Sequence, residues 1–100
     1  MLEIDRVLQL KEGFILYKLE VGGGMFWLFN IENGNSFKLN ETSYYILSLF
    51  DGNRSMGEIH KCVLDNYPDI DPNIIRKDFE ELIDRTKKIF KERRLSLIHI

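Results

Sequence analysis

Four groups of residues in this chain have side chains that could do chemistry, and their spacing decides what each can do. His60-Lys61-Cys62 sets an imidazole two positions from the only thiol in the sequence. Such a pair suits a metal site or an activated nucleophile. The surrounding pattern is helical, however, and helical positions two apart point about 200° away from each other. Cys62 falls on the apolar stripe of that helix, where a free thiol packs as a small hydrophobe. Gly22-Gly23-Gly24 could approach a phosphate, yet no lysine and hydroxyl follow, and the glycines join two strand patterns rather than a strand and a helix. They read as a hairpin turn. Asp69/Asp71 and Glu80/Glu81 pair carboxylates without a partner base or metal-ligand spacing. His99 stands alone near the end and reads as a surface histidine. No reaction centre assembles, so the chain is expected to be non-catalytic, with no metal and no cofactor.

The fourth group is basic. Residues 85–94 contain six Lys or Arg, the kind of run that meets nucleic-acid phosphates. The preceding segment argues the other way, because residues 65–81 carry six acidic and two basic residues. A recognition helix with that leading turn would repel a phosphate backbone. The basic run reads instead as a solvated face that complements the C-terminal end of a helix dipole.

Composition narrows the class further. One hundred residues, 44% hydrophobic and 30% charged, suit one compact folding unit spanning 1–100. The formal net charge of −2 gives no global attraction to nucleic acid or anionic membrane. The longest strictly apolar run, Met25 to Phe29, cannot cross a bilayer, so no membrane partner is expected. A single cysteine forms no internal disulfide, and without a signal peptide the expectation is a cytoplasmic protein.

These residues must be positioned by strands and helices. Residues 1–12 lack a clean period and read as a lead-in pairing weakly with the sheet. Phe14–Leu19, Met25–Ile31 and Asn35–Leu39 read as three strands of an antiparallel meander. Asn33-Gly34 predicts a type I′ hairpin between the last two. Asn40 caps a first helix whose body runs from Tyr44 to Phe50, and Asp51-Gly52-Asn53 stops it. Ser55 with Glu58 forms a capping box for a second helix over Met56–Tyr67. Asn40 and Asn53 also head glycosylation-like triplets, which read as cap and turn chemistry. Asp71 and Pro72 open a third helix, and Ile75, Phe79, Leu82, Ile83, Thr86 and Phe90 follow its spacing. The predicted class is α+β: a three-stranded antiparallel sheet followed by three helices in a winged helix-turn-helix. Arg94–Ile100 alternates like a short strand, either an extra strand or an arm for another chain.

The stretch Leu39–Ile59, LNETSYYILSLFDGNRSMGEI, resembles the core signature of the PqqD-like family, which serves in coenzyme PQQ synthesis. The pattern is L-N-x-T, a short apolar helix, D-G, then a small polar residue and E-I. The likeness continues through Asp71-Pro72 and the helix holding Asp78, Phe79 and Leu82, over roughly residues 14–90. It departs at Arg94–Ile100, where the family ends near a glycine and a short apolar tail. The resemblance implies a peptide-recognition adaptor for ribosomally made precursors. Its partners would be a precursor leader peptide and a modifying enzyme, of the radical S-adenosylmethionine type in the PQQ-like case. That enzyme would carry any iron–sulfur cluster, since one cysteine cannot hold one.

The residues supply a mechanism of their own. A third strand that runs directly into a helix, with no later obvious partner, reads as a sheet edge unless a C-terminal strand covers it, and an edge can accept an extended peptide as a further strand. The candidate edge is Asn35, Ser36, Phe37, Lys38 and Leu39. Ile74, Ile75, Phe79 and Leu82 would wall the groove, with Lys77, Asp78 and Glu81 as its polar rim. Against this stands the plainer reading, that Phe79 and Leu82 are core and that Lys38 only guards an edge against aggregation. The alternatives are a winged-helix nucleic-acid binder and a subunit that scaffolds an enzyme. An open edge is compatible with a monomer or a strand-exchanged dimer.

Overall fold

The computed structural model describes residues 5–92. They run β1 (Val7–Leu10), β2 (Phe14–Leu19), β3 (Met25–Asn30), β4 (Ser36–Leu39), α1 (Glu41–Ser48), β5 (Asp51–Ser55), α2 (Met56–Asn66), α3 (Pro72–Thr86) and β6 (Phe90–Glu92). The expected α+β class holds. The Arg94–Ile100 segment lies outside the described residues.

The meander forms as its alternation requires, with the order β2-β3-β4 and both pairs antiparallel. Leu16, Leu28 and Phe37 stand opposite one another on the inner face, while Tyr17, Trp27 and Lys38 share the outer face. Tyr17 stacks on Trp27 with ring centroids 6.4 Å apart. The β3–β4 connection departs from the type I′ expectation. Only Gly34 has positive φ there, and no non-glycine residue does. The loop spans five residues, closed by Asn30 N–H to the Asn35 carbonyl (2.8 Å) and Gly34 N–H to the Asn30 carbonyl (2.9 Å). The Asn33 side chain accepts from Asn35 N–H at 2.9 Å, a local bond that a two-residue turn could not make.

Helix starts follow the cap chemistry. Asn40 Oδ1 accepts from Ser43 N–H at 2.7 Å. Ser55 and Glu58 exchange the reciprocal bonds of a capping box. Their effect on Glu58 is direct, because bonds from the Ser55 backbone and hydroxyl hold its carboxyl below the ordinary range. Asp71 caps α3, with Pro72 at its first position.

Three expectations are corrected. Residues 7–10 do not pair with the meander; β1 is the central strand of a second antiparallel sheet, order β5-β1-β6. Asp51–Ser55 is not a tight turn between helices but β5, because β1 offers it a ladder that outweighs local turn preference. Its register against β1 slips between Val7 and Gln9, with Gly52 at φ +81, where a Cβ would collide with the Gln9 side chain. The third helix also ends sooner than its spacing suggests. After Thr86 the chain tightens into a short 3-10 turn (Lys87–Ile89), and Phe90 enters the core from β6, opposite Leu10.

Both sheets and all three helices meet in one core. Leu8 and Phe90 come from the second sheet, Leu28 from the meander, and Leu47, Ile59 and Phe79 from the helices. His60 lies against this core, its ring 5.5 Å from that of Phe79. Burial, reinforced by the Arg76 charge and opposed by Glu80, lowers its pKa from 6.5. The lowered value means that the unfolded chain takes up a proton before the folded one does. Stability contributed by neutral His60 is therefore full above pH 6.5 and declines as pH falls from there toward the lower folded value. Melting curves of the parent and His60→Gln should accordingly converge between neutral and mildly acidic pH, and a constant difference would refute this account.

Candidate functional site

The meander ends on an open edge. Among the described residues β4 pairs with β3 alone, and β6 closes the other sheet instead of covering it. Phe37 shares the inner face with buried Leu28, yet it is 51% exposed, since no described strand lies beyond it. Leu39, one step nearer the helix, is half-buried and packs against the core.

Where β4 gives way to Asn40, the chain borders a cleft of about 340 Å³. One wall is the first turn of α1, with Thr42 and Ser43 above Ile46. The opposite wall is α3, whose Ile75 and Leu82 form apolar ground beneath Asp78 and Glu81. Spacing explains this arrangement: positions 75, 78 and 82 share one helical face, with 81 and 85 on its flank. Val63 of α2 and Ile70 of the α2–α3 connection complete the apolar lining. Across the cleft, the Tyr67 hydroxyl stands 3.5 Å from Thr42 Oγ1, and the Tyr67 ring packs edge-on against Tyr45 at 6.2 Å. The Tyr45 hydroxyl, donating to the Cys62 carbonyl at 3.4 Å, has its pKa raised, first by burial and then by the neighbouring Cys62 and Tyr67.

The candidate residues separate accordingly. Ile75, Asp78, Glu81 and Leu82 line the cleft together. Ser36 and Lys38 are exposed on the strand edge. Asn35 belongs to the preceding loop, where its carbonyl serves β3. Ile74 is 53% exposed and Lys77 is exposed, but neither borders the cleft. Phe79 is fully buried, stacked on Phe50 with centroids 6.3 Å apart, and belongs to the core. Sequence reasoning missed Thr42, Ser43, Tyr67, Ile70 and Arg85. Ile70, an apolar residue in an otherwise polar connection, was the one signal available; the others read as ordinary cap, core and dipole residues.

The cleft offers shape, apolar ground and a mixed polar rim. Among the described residues no group of three or more His, Cys, Asp or Glu could hold a metal ion. No described helix is long and apolar enough to cross a membrane.

A three-stranded meander leading into a three-helix unit, with a cleft bordered by the helices and by Asn40, defines a small α+β fold. The family of coenzyme PQQ synthesis protein D (PqqD) matches residues 26–88, and the chain belongs to that family. Among solved structures it is similar to TbiB1 in complex with the TbiA(beta) leader peptide. That likeness, with a TM-score of 0.66 and 15% identity, covers 86% of this chain and 98% of the other, and it is one of fold. Against curated protein sequences, no match is found.

Proposed function

We propose that this PqqD-family chain is a non-catalytic adaptor that binds the leader of a ribosomally made precursor peptide by strand addition to β4. It then presents that peptide to a modifying enzyme, of the radical S-adenosylmethionine type in the PQQ-like case. The whole chain acts as one recognition unit, working in the cytoplasm. One observation carries the reading: the edge of β4, unpaired among the described residues, leads through Asn40 onto the lip of the cleft whose far wall is α3. Main-chain bonds along the edge would supply affinity, and the cleft would select side chains. The leader held by TbiB1, a chain of the same fold, supports the same use here.

The nucleic-acid alternative loses ground on geometry. The basic run leaves the helix at Lys87, and Lys87 itself stands 3.8 Å from Asp84. The test is an amide NMR titration with synthetic leaders of short precursors encoded beside the gene, and in parallel with duplex DNA at two salt concentrations. The adaptor reading expects shifts over Asn35–Leu39 and the cleft face of α3 with one leader. Shifts with DNA alone, centred on Arg85–Lys91 and weakened by salt, would overturn it.

A further inference from the structure

The hydrogen-bond phase of β4 determines how an added peptide is read. Asn30 N–H donates to the carbonyl of Asn35, its cross-strand partner, at 2.8 Å. In an antiparallel ladder, residues that exchange bonds alternate with residues whose N–H and C=O point away. With the observed register, the next exchanging pairs are Leu28 with Phe37 and Phe26 with Leu39. The other side of β3 agrees: Ile31 N–H donates to the Gly13 carbonyl at 2.8 Å, so odd residues of β3 serve β2 and even ones serve β4. The backbone groups left for a newcomer are therefore those of Ser36 and Lys38. The side chains of Phe37 and Leu39 meanwhile lie on the inner face of the meander, Phe37 beside buried Leu28 and Leu39 packed against the core.

Resting on the adaptor reading, we propose that the chain selects an extended peptide whose backbone-locked and side-chain-read residues alternate, with imino residues admitted only at the side-chain-read positions. Every strand pair in the described chain is antiparallel, and an antiparallel ladder is also slightly the more stable per residue. In antiparallel addition, the peptide residues opposite Ser36 and Lys38 exchange bonds with them and turn their side chains to the outer face, beside the side chains of Ser36 and Lys38. The residues between and flanking them, opposite Phe37 and Leu39, turn their side chains inward and keep their own N–H free of β4. Proline or an N-methylated residue lacks that N–H and is harmless there. At the locked positions the same substitution removes a bond and thrusts a carbon against the β4 backbone. The ligand class is thus a peptide with inward side chains at every second position, where proline is permitted.

The experiment uses short random peptides displayed on phage and selected against the full chain. Binders are kept when they shift the amides of Ser36–Leu39. One such peptide is then scanned twice, by alanine substitution and by backbone N-methylation. The expected result is two interleaved patterns, with N-methylation costing roughly ten-fold in affinity at alternate residues and alanine substitution costing most at the residues between them. Coincident patterns, with the same residues sensitive to both, indicate parallel addition and overturn the proposal while leaving strand addition intact. N-methylation tolerated everywhere, or no selected peptide that shifts these amides, overturns the adaptor reading as well.

Discussion

Replacing Phe79 with alanine is expected to lower the unfolding free energy by about 3–5 kcal/mol, the usual cost of emptying a buried aromatic site. Phe79 has no exposed surface and lies between the Phe50 ring at 6.3 Å and the His60 ring at 5.5 Å. These neighbours come from the α1–β5 junction and from α2, so the cavity would open where three elements meet and could not collapse by moving one of them. A domain of this size is stable by roughly 5–15 kcal/mol, so the variant should lose a large share of its stability. Ile74, five residues earlier on α3 and 53% exposed, is the comparison. Ile74→Ala should change stability by no more than about 0.5 kcal/mol. Urea unfolding of both variants measures the contrast, and similar costs would mean that α3 is not seated as described.

Proline at position 38 should spare the fold and abolish tight peptide binding. The Lys38 N–H points away from β3, and an edge strand accepts proline where its N–H faces outward. Phe37, preceding it, is already extended, as a residue before proline must be. Lys38→Pro should therefore melt close to the parent. It would deny an incoming strand one donor and place a ring in its path, for a loss in affinity of about ten-fold or more. Phe37→Pro is the opposite case: it breaks the exchange with Leu28 and should destabilise the chain by roughly 1–3 kcal/mol. Lys38→Ala keeps the amide and should bind like the parent. Equal binding by Lys38→Pro and the parent, measured by calorimetry with a leader peptide, would place the peptide elsewhere.

The meander and the three helices were legible because their signals are local: alternation in Phe14–Leu19, the caps at Asn40, Ser55 and Asp71, and the helix stop before Asp51. The second sheet was not. Its strands are short, Val7–Leu10 without clear alternation and Asp51–Ser55 with turn-forming composition, and each becomes a strand only because the other supplies a ladder across more than forty residues. Phe90 misled for the same reason, since helical spacing carried it onto α3 while β1 draws it into β6. At the candidate site, the edge could be inferred from chain order alone. The cleft could not, because Thr42, Tyr67 and Arg85 come from three segments whose meeting is set by tertiary packing.

Strand addition at β4 is tested most directly by hydrogen exchange at individual amides, with and without a bound leader peptide. The Ser36 and Lys38 N–H groups should exchange readily in the free chain and become protected on binding, while those of Phe37 and Leu39, already turned toward β3, should change far less. Binding that leaves Ser36 and Lys38 as exchangeable as before would contradict the account, whatever affinity accompanied it.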